Sequence, residues 1–305
     1  MGVPVVKVMD FRKKYGNFTA VDGISFEVSK GEIYGILGPN GAGKTSTLEC
    51  LEALRSPDGG IMEIMGINPA RQPHKLRDII GVQLQSSGLP DSMTVSEAMK
   101  FFSSYHGISP KYDLLERLGL EDKMSTQYHM LSGGQKRRLV LALAIAHNPA
   151  VLILDEPTAA LDVQSRVELH SLMSELKEKG TTILLATHDM AEAEKMADRI
   201  AILLKGRIVA EGTPNEITAT GSGLTKVSVR TAGTCLQNDS AVFINTEKHA
   251  VNDEYFIYYT SAPGPAVSQI IAYIASEGDT LIDLRVERPS LEERFLEITG
   301  VGGAK

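Results

Sequence analysis

The sequence predicts an α/β fold: a mostly parallel sheet wrapped by helices, followed by a smaller α/β domain. Three patterns carry this expectation. Short apolar runs bounded by glycine or charge alternate with helix-period stretches, the mark of a parallel sheet covered on both faces. Near the N-terminus, Ile24, Phe26 and Val28 alternate with polar partners, as in a half-exposed antiparallel sheet. A Thr/Gly/Ser stretch at 219–223 then interrupts the pattern and reads as a linker.

In chain order, runs 33–37, 79–84, 151–154 and 181–186 read as buried strands, and 45–54, 95–105, 133–146, 164–178 and 190–196 as helices. Beyond the linker, strands are expected at 226–229, 241–244, 255–259 and 281–286, with helices at 266–276 and 291–298. A length of 305 residues suits a large domain, 1–218, and a small one, 219–305.

Composition narrows the function. A hydrophobic content of 43% supports a folded interior. The net charge of −7, from 31 basic and 38 acidic residues, argues against a nucleic-acid partner, whose phosphates need a basic surface. Cys50 and Cys235 lie far apart without metal-ligand spacing, so a reducing compartment fits. Residues 1–10 lack the features of a signal peptide. The longest apolar stretch, 139–146, is far below the ~20 residues that span a bilayer. A soluble, cytoplasmic chain is expected, and work at a membrane would need a partner that supplies the spans.

Gly38, Pro39, Asn40, Gly41, Ala42, Gly43, Lys44 and Thr45 match the GxxxxGK[ST] phosphate-binding loop between an apolar strand and a helix. Glycines let backbone amides turn toward the phosphates, and the helix N-terminus adds favourable partial charge. Lys44 is expected to reach the β- and γ-phosphates and the Thr45 hydroxyl to ligate Mg2+. The strand at 151–154 ends in Asp155 and Glu156, at the sheet edge where open α/β folds place ligands. Asp155 would hold the metal and Glu156 would act as base toward the attacking water.

Leu131, Ser132, Gly133, Gly134 and Gln135 contain a capping box, Ser132 with Gln135, at the head of a helix. Two glycines in the first turn sacrifice helix propensity. Lys136, Arg137 and Arg138 put cations where the macrodipole disfavours them. An anion bound there would account for both features; simple pairing of the cations with nearby carboxylates is the alternative.

With these motifs in this order, the chain resembles the nucleotide-binding domain of ABC transporters, from about residue 3 to 217. The resemblance implies a P-loop NTPase core with antiparallel and helical (86–147) subdomains, and ATP and Mg2+ as ligands. ATP would contact residues 38–46, through Ser46, and Tyr15 would stack on adenine, with Phe18 a nearby competitor. Gln85 would contact the metal and the attacking water, with Gln83 two residues earlier. His188 would contact the γ-phosphate, and Asp162 would communicate across a dimer. Val163 stands where many relatives carry proline at a helix start, which costs only preorganisation. Residues 131–135 would act in trans on the ATP of a second nucleotide-binding subunit, most simply another copy of this chain. A separate integral-membrane permease would dock on the surface after Gln85, residues 86–97. The C-terminal segment 289–300 resembles the drug-resistance exporter branch, and the extra domain would serve dimerisation or regulation. Soluble ABC ATPases and import motors are the rival readings. The gap between Gln85 and Leu131 is too short for the coiled coil of the DNA-repair type.

Overall fold

The structure, a computed structural model, describes residues 4–84, 88–159, 161–219, 224–237, 243, 245–252, 255–287 and 289–299. It divides into two compact units, Met1–Pro214 and Asn215–Lys305. The sequence places the boundary four residues later, within a short helix, Pro214–Ala219, whose first residue closes the first unit.

The first unit runs β1 (Val6–Tyr15), β2 (Phe18–Val28), β3 (Ile33–Leu37), α1 (Lys44–Leu51), β4 (Gly59–Ile64), α2 (Pro73–Leu76), β5 (Ile80–Gln83), α3 (Val95–Tyr105), α4 (Tyr112–Arg117), α5 (Gly133–Ile145), β6 (Val151–Asp155), α6 (Val163–Glu178), β7 (Thr182–Thr187), α7 (Met190–Met196), β8 (Arg199–Leu204) and β9 (Arg207–Gly212). Among the described residues β1, β2 and β4 form an antiparallel sheet in the order β2-β1-β4. In β2, Ile24, Phe26 and Val28 are buried and the residues between them are exposed, as their alternation predicts. The larger sheet has the order β5-β6-β7-β3-β8-β9, parallel except for β9. β3, β6 and β7 are buried at every position, so they read as unbroken apolar runs.

One core joins the antiparallel sheet, α1 and the parallel sheet: Phe11, Ile24 and Ile64 from the first, Leu48 and Leu51 from α1, and Ile36, Ile153 and Leu184 from the last. Phe26 stacks on Tyr34 with ring centroids 5.1 Å apart. α5 is buried from Leu139 to Ile145, which explains an apolar surface too broad for an amphipathic stripe. It crosses β5 so closely that a Cβ on Gly81 would lie 2.1 Å from the Ala144 carbonyl oxygen. Glycine there sets the distance between helix and sheet.

In the second unit, α8 (Pro214–Ala219), β10 (Thr225–Thr231), β11 (Thr246–Asn252), β12 (Tyr255–Thr260), α9 (Pro263–Ser276), β13 (Leu281–Glu287) and α10 (Leu291–Thr299) follow. The sheet order is β11-β12-β10-β13, antiparallel throughout its described pairings. Val227, Val229, Phe256, Tyr258, Ile270 and Ile274 form its core. The strand expected at 241–244 falls, except for Phe243, outside the described residues. No described helix is long and apolar enough to cross a membrane.

Candidate active site

β3 delivers the chain into the turn 38–43, and α1 begins at Lys44. Gly43 has φ 108°, and a Cβ on it would lie 2.7 Å from the Ala20 carbonyl oxygen, so both conformation and space demand glycine. No side chain caps α1, which leaves its first-turn amides and positive dipole end for an anion. The Lys44 ammonium is buried under the turn, donates to the Gly38 carbonyl at 2.7 Å and lies 3.8 Å from Glu156 Oε1. Burial pulls its pKa below the ordinary lysine value, although Glu156 and Asp155 oppose the shift. Residues 39–46, Tyr15, Phe18, Ala20 and Glu156 line a cavity of ≈ 340 Å³. Larger cavities occur elsewhere in the chain, but this one joins the phosphate-loop turn to the Glu156 carboxylate.

Tyr15 and Phe18 both stand in that lining. The Tyr15 hydroxyl is 3.3 Å from Ser46 Oγ. Its ring is faced by the Lys13 ammonium and the Arg55 guanidinium at 5.4 and 5.3 Å.

Asp155 ends β6 in the strand next but one to β3, because β7 lies between them. Thr45 Oγ1 donates to Asp155 Oδ2 at 3.1 Å, across 110 residues of chain. Asp155 Oδ1 is buried without a hydrogen-bond partner. Desolvation raises the Asp155 pKa, against the Thr45 hydrogen bond that lowers it. Among the described residues no cluster of three or more His, Cys, Asp or Glu could hold a metal by itself. A lone buried carboxylate beside a hydroxyl suits a cation that brings phosphate oxygens with it, which is how Mg2+ binds.

Glu156 adopts φ 50°, an uncommon conformation for a residue with a side chain. Three neighbours hold it: its amide donates to the Ala186 carbonyl at 2.9 Å, its carbonyl accepts from the Arg137 guanidinium, and its carboxylate Oε2 meets His188 Nδ1 at 2.7 Å. Strain of this kind persists only where the surroundings over-determine it, and it clusters at working sites. His188 itself is well exposed beyond β7.

The remaining sequence candidates that the structure describes do not line this cavity. Ser132 caps α5, with Gln135 N donating to Ser132 Oγ at 3.2 Å and Ser132 N to Gln135 Oε1 at 2.9 Å. Among the described residues a Cβ on Gly133 would meet nothing within 4 Å, and one on Gly134 only Leu161 Cδ2 at 3.7 Å, so packing among them does not explain the two glycines. Of the three cations that follow, Arg137 goes to the Glu156 carbonyl, Arg138 to the Leu118 carbonyl and Lys136 over the Tyr128 ring. Asp162 caps α6 through Ser165, so the helix starts properly with Val163 in place of proline. Gln85 lies outside the described residues. Gln83 ends β5, buried, with its Oε1 unpartnered.

Glu192 is the residue that pattern reading passes over. It is 3% exposed and accepts from Thr158 Oγ1 and Thr187 Oγ1 at 3.0 Å each, while His170 Nε2 lies 3.4 Å from its other oxygen. It thus ties the loop after Glu156 to the residue before His188. A glutamate in a short charged helix carries no local sign of this.

A family model described as ABC transporter matches residues 21–159, which hold the phosphate turn, residues 131–135 and both carboxylates. A Nod factor export ATP-binding protein of Ralstonia nicotianae is 35% identical over 311 residues, covering 97% of this chain and 94% of its own length. The chain belongs to the ABC transporter ATP-binding proteins. A daunorubicin resistance ATP-binding protein of Streptomyces coeruleorubidus is 34% identical over 316 residues, covering 98% of this chain and 97% of its own. Among solved structures, an ATP-binding subunit of an ABC transporter aligns with TM-score 0.66 at 30% identity, over 70% of this chain and 91% of that one. The cbiO1 protein of Clostridium perfringens, part of the transporter complex cbiONQ, aligns with TM-score 0.62 at 30% identity, over 72% and 92%. This ABC ATPase therefore shares its nucleotide core with the solved cassettes, and it matches the two export proteins along nearly its whole length.

Proposed function

We propose that this ABC ATPase is the motor of an exporter, hydrolysing ATP at the cytoplasmic face to drive a separate membrane-spanning permease. The observation that carries the reading is the convergence of Lys44, Thr45, Asp155, Glu156 and His188 around one phosphate cradle. The export direction rests on the likeness to Nod factor and daunorubicin resistance proteins over almost the full chain.

In this reading the turn 38–43 and the first amides of α1 cradle the phosphates, and Lys44 neutralises the β- and γ-oxygens. Tyr15 stacks on adenine, an interaction worth ~1–3 kcal/mol. Thr45 and Asp155 hold Mg2+, with Gln85 as a further contact, and the ion neutralises charge on the phosphates when bound. Glu156 accepts the proton of the attacking water. Its hydrogen bond to His188 Nδ1 fixes the carboxylate and leaves His188 Nε2 available to the γ-phosphate.

A second copy of the chain completes the site. Gly133 and Gly134 cost about 1 kcal/mol each relative to alanine in a helix, and no close contact among the described residues requires them. Close approach to a partner's γ-phosphate supplies the missing reason, with Ser132 and the two glycine amides as donors. ATP then holds two subunits head to tail, and hydrolysis releases them. The permease docks beside the helical segment that follows β5.

Phosphate release by the purified chain with Mg2+ and ATP tests the assignment. Glu156→Gln is expected to bind ATP and lose about 10²–10⁴ in turnover. Hydrolysis by that variant at the unmodified rate would remove Glu156 as the base.

A further inference from the structure

Gln83 is the one polar residue of β5. It ends the strand opposite Leu154 of β6 and is 2% exposed. Among the described residues its Oε1 has no hydrogen-bond partner, and an amide oxygen left so costs about 1–3 kcal/mol. Arg138 of α5 has the complementary defect. Its Nη1 donates to the Leu118 carbonyl at 3.0 Å, while its Nε is buried with no acceptor among the described residues.

The orphaned acceptor and the orphaned donor line one cavity of ≈ 10 Å³, about the space that a single water needs. Leu118, Leu141, Pro157 and Leu169 also stand in its wall. Two other polar groups on that wall are engaged elsewhere. Ser165 Oγ donates to Asp162 Oδ2 at 2.9 Å, and Glu168 Oε1 accepts from Gln164 Nε2 at 3.1 Å. Purely apolar voids stay dry, whereas one that offers polar groups holds water. A water accepts from one group and donates to another, so it satisfies both orphans at once.

We propose that this cavity holds one water, accepting from Arg138 Nε and donating to Gln83 Oε1, and that Gln83 thereby acts as a positioning residue for ATP hydrolysis. The water ties α5 to the sheet. Arg138 follows Arg137, whose guanidinium donates to the carbonyl of Glu156, the residue held at φ 50°. With Arg138 anchored to β5, the early turns of α5 stay against the sheet and Arg137 stays on that carbonyl. The Glu156 backbone so held aims the carboxylate. Gln83 therefore acts on turnover through two arginines, without touching nucleotide. This role requires that Glu156 be the base proposed above.

A high-resolution crystal structure of the full chain is expected to show one ordered water within about 3.2 Å of both Arg138 Nε and Gln83 Oε1. An empty cavity, or direct contact between the two side chains, would overturn the proposal. Kinetics test the positioning role. Gln83→Leu is expected to lower kcat roughly ten-fold and leave KM for ATP within about two-fold, because the cradle of α1 is untouched. Gln83→Glu keeps an oxygen acceptor for the water and should hold kcat near the unmodified value. In an Arg138→Met background Gln83→Leu should cost less than about two-fold further, since both residues act through one water. Unchanged kcat in Gln83→Leu, an equal loss in Gln83→Glu, or additive losses in the double variant would defeat the role. Should Gln83→Leu not fold, Gln83→Met, which keeps the side-chain length, replaces it. Glu156→Gln reads the base assignment separately. Turnover lost in that variant yet kept in Gln83→Leu sinks only the present inference.

Discussion

Glu156 and Glu52 are both buried, and their surroundings give them opposite characters. Glu156 has Lys44 at 3.8 Å and His188 at 2.7 Å, so its charge is shared with two neighbours. Glu52 has no such neighbour among the described residues, and burial pushes its pKa from an ordinary 4.5 up to about 8, with Asp155 and Glu49 adding to the shift. Between those values the folded chain keeps a proton that the unfolded chain has lost. Stability therefore falls as pH rises from about 5 to 8, by on the order of 4 kcal/mol across the window. Glu52→Gln has no proton to lose, so its melting temperature should gain on the unmodified chain steadily over that range. Parallel melting curves at pH 5 and pH 8 would show that Glu52 is not buried as an acid.

At the level of elements, the proposed catalytic groups sit at the ends of neighbouring parallel strands, and their spacing depends on how the loops beyond those ends are tied. Glu192 of α7 does the tying, holding Thr158 after β6 and Thr187 at the end of β7. Glu192→Ala leaves two hydroxyls and a histidine without their acceptor, which costs about 1–3 kcal/mol of stability. Displacing Glu156 and His188 by an ångström or so should cut kcat by roughly 100-fold, with ATP affinity little changed because the cradle of α1 is untouched. Steady-state hydrolysis paired with a nucleotide-binding titration separates the two effects. A variant with normal kcat would make Glu192 a packing residue only.

For the whole molecule, the decisive geometry is that Ser132–Gln135 do not line the cavity that holds Lys44. A head-to-tail pair resolves this, and complementation tests it. Lys44→Ala disables one chain's cradle, and Gly134→Asp places a charge where a partner's phosphate would approach. Each variant alone should be inactive. Mixed in equal amounts they should regain roughly a quarter of unmodified turnover, since half of random pairs are mixed and each mixed pair has one intact site. A mixture as inactive as its parts would argue against composite sites.

The helices at 95–105 and 190–196 begin and end where their patterns indicate, because caps and apolar spacing are local signals. Strand β11 was not legible: Thr246, Glu247 and Lys248 offer no apolar period, and its existence depends on pairing with β12. β9, an exposed antiparallel edge with only alternate positions half-buried, was equally silent. In the candidate site, the phosphate turn and the Asp155–Glu156 pair could be read directly, since glycine spacing and a charged strand end are constraints on neighbouring residues. That Arg137 would grip the Glu156 carbonyl, that Glu192 would join two loops and that Glu52 would be buried could not be read. The sequence by itself determined the α/β alternation and which residues are proposed for phosphate chemistry. Tertiary structure alone decided which charges acquire partners, because a buried group's partners are set by the order in which strands assemble and not by its distance along the chain.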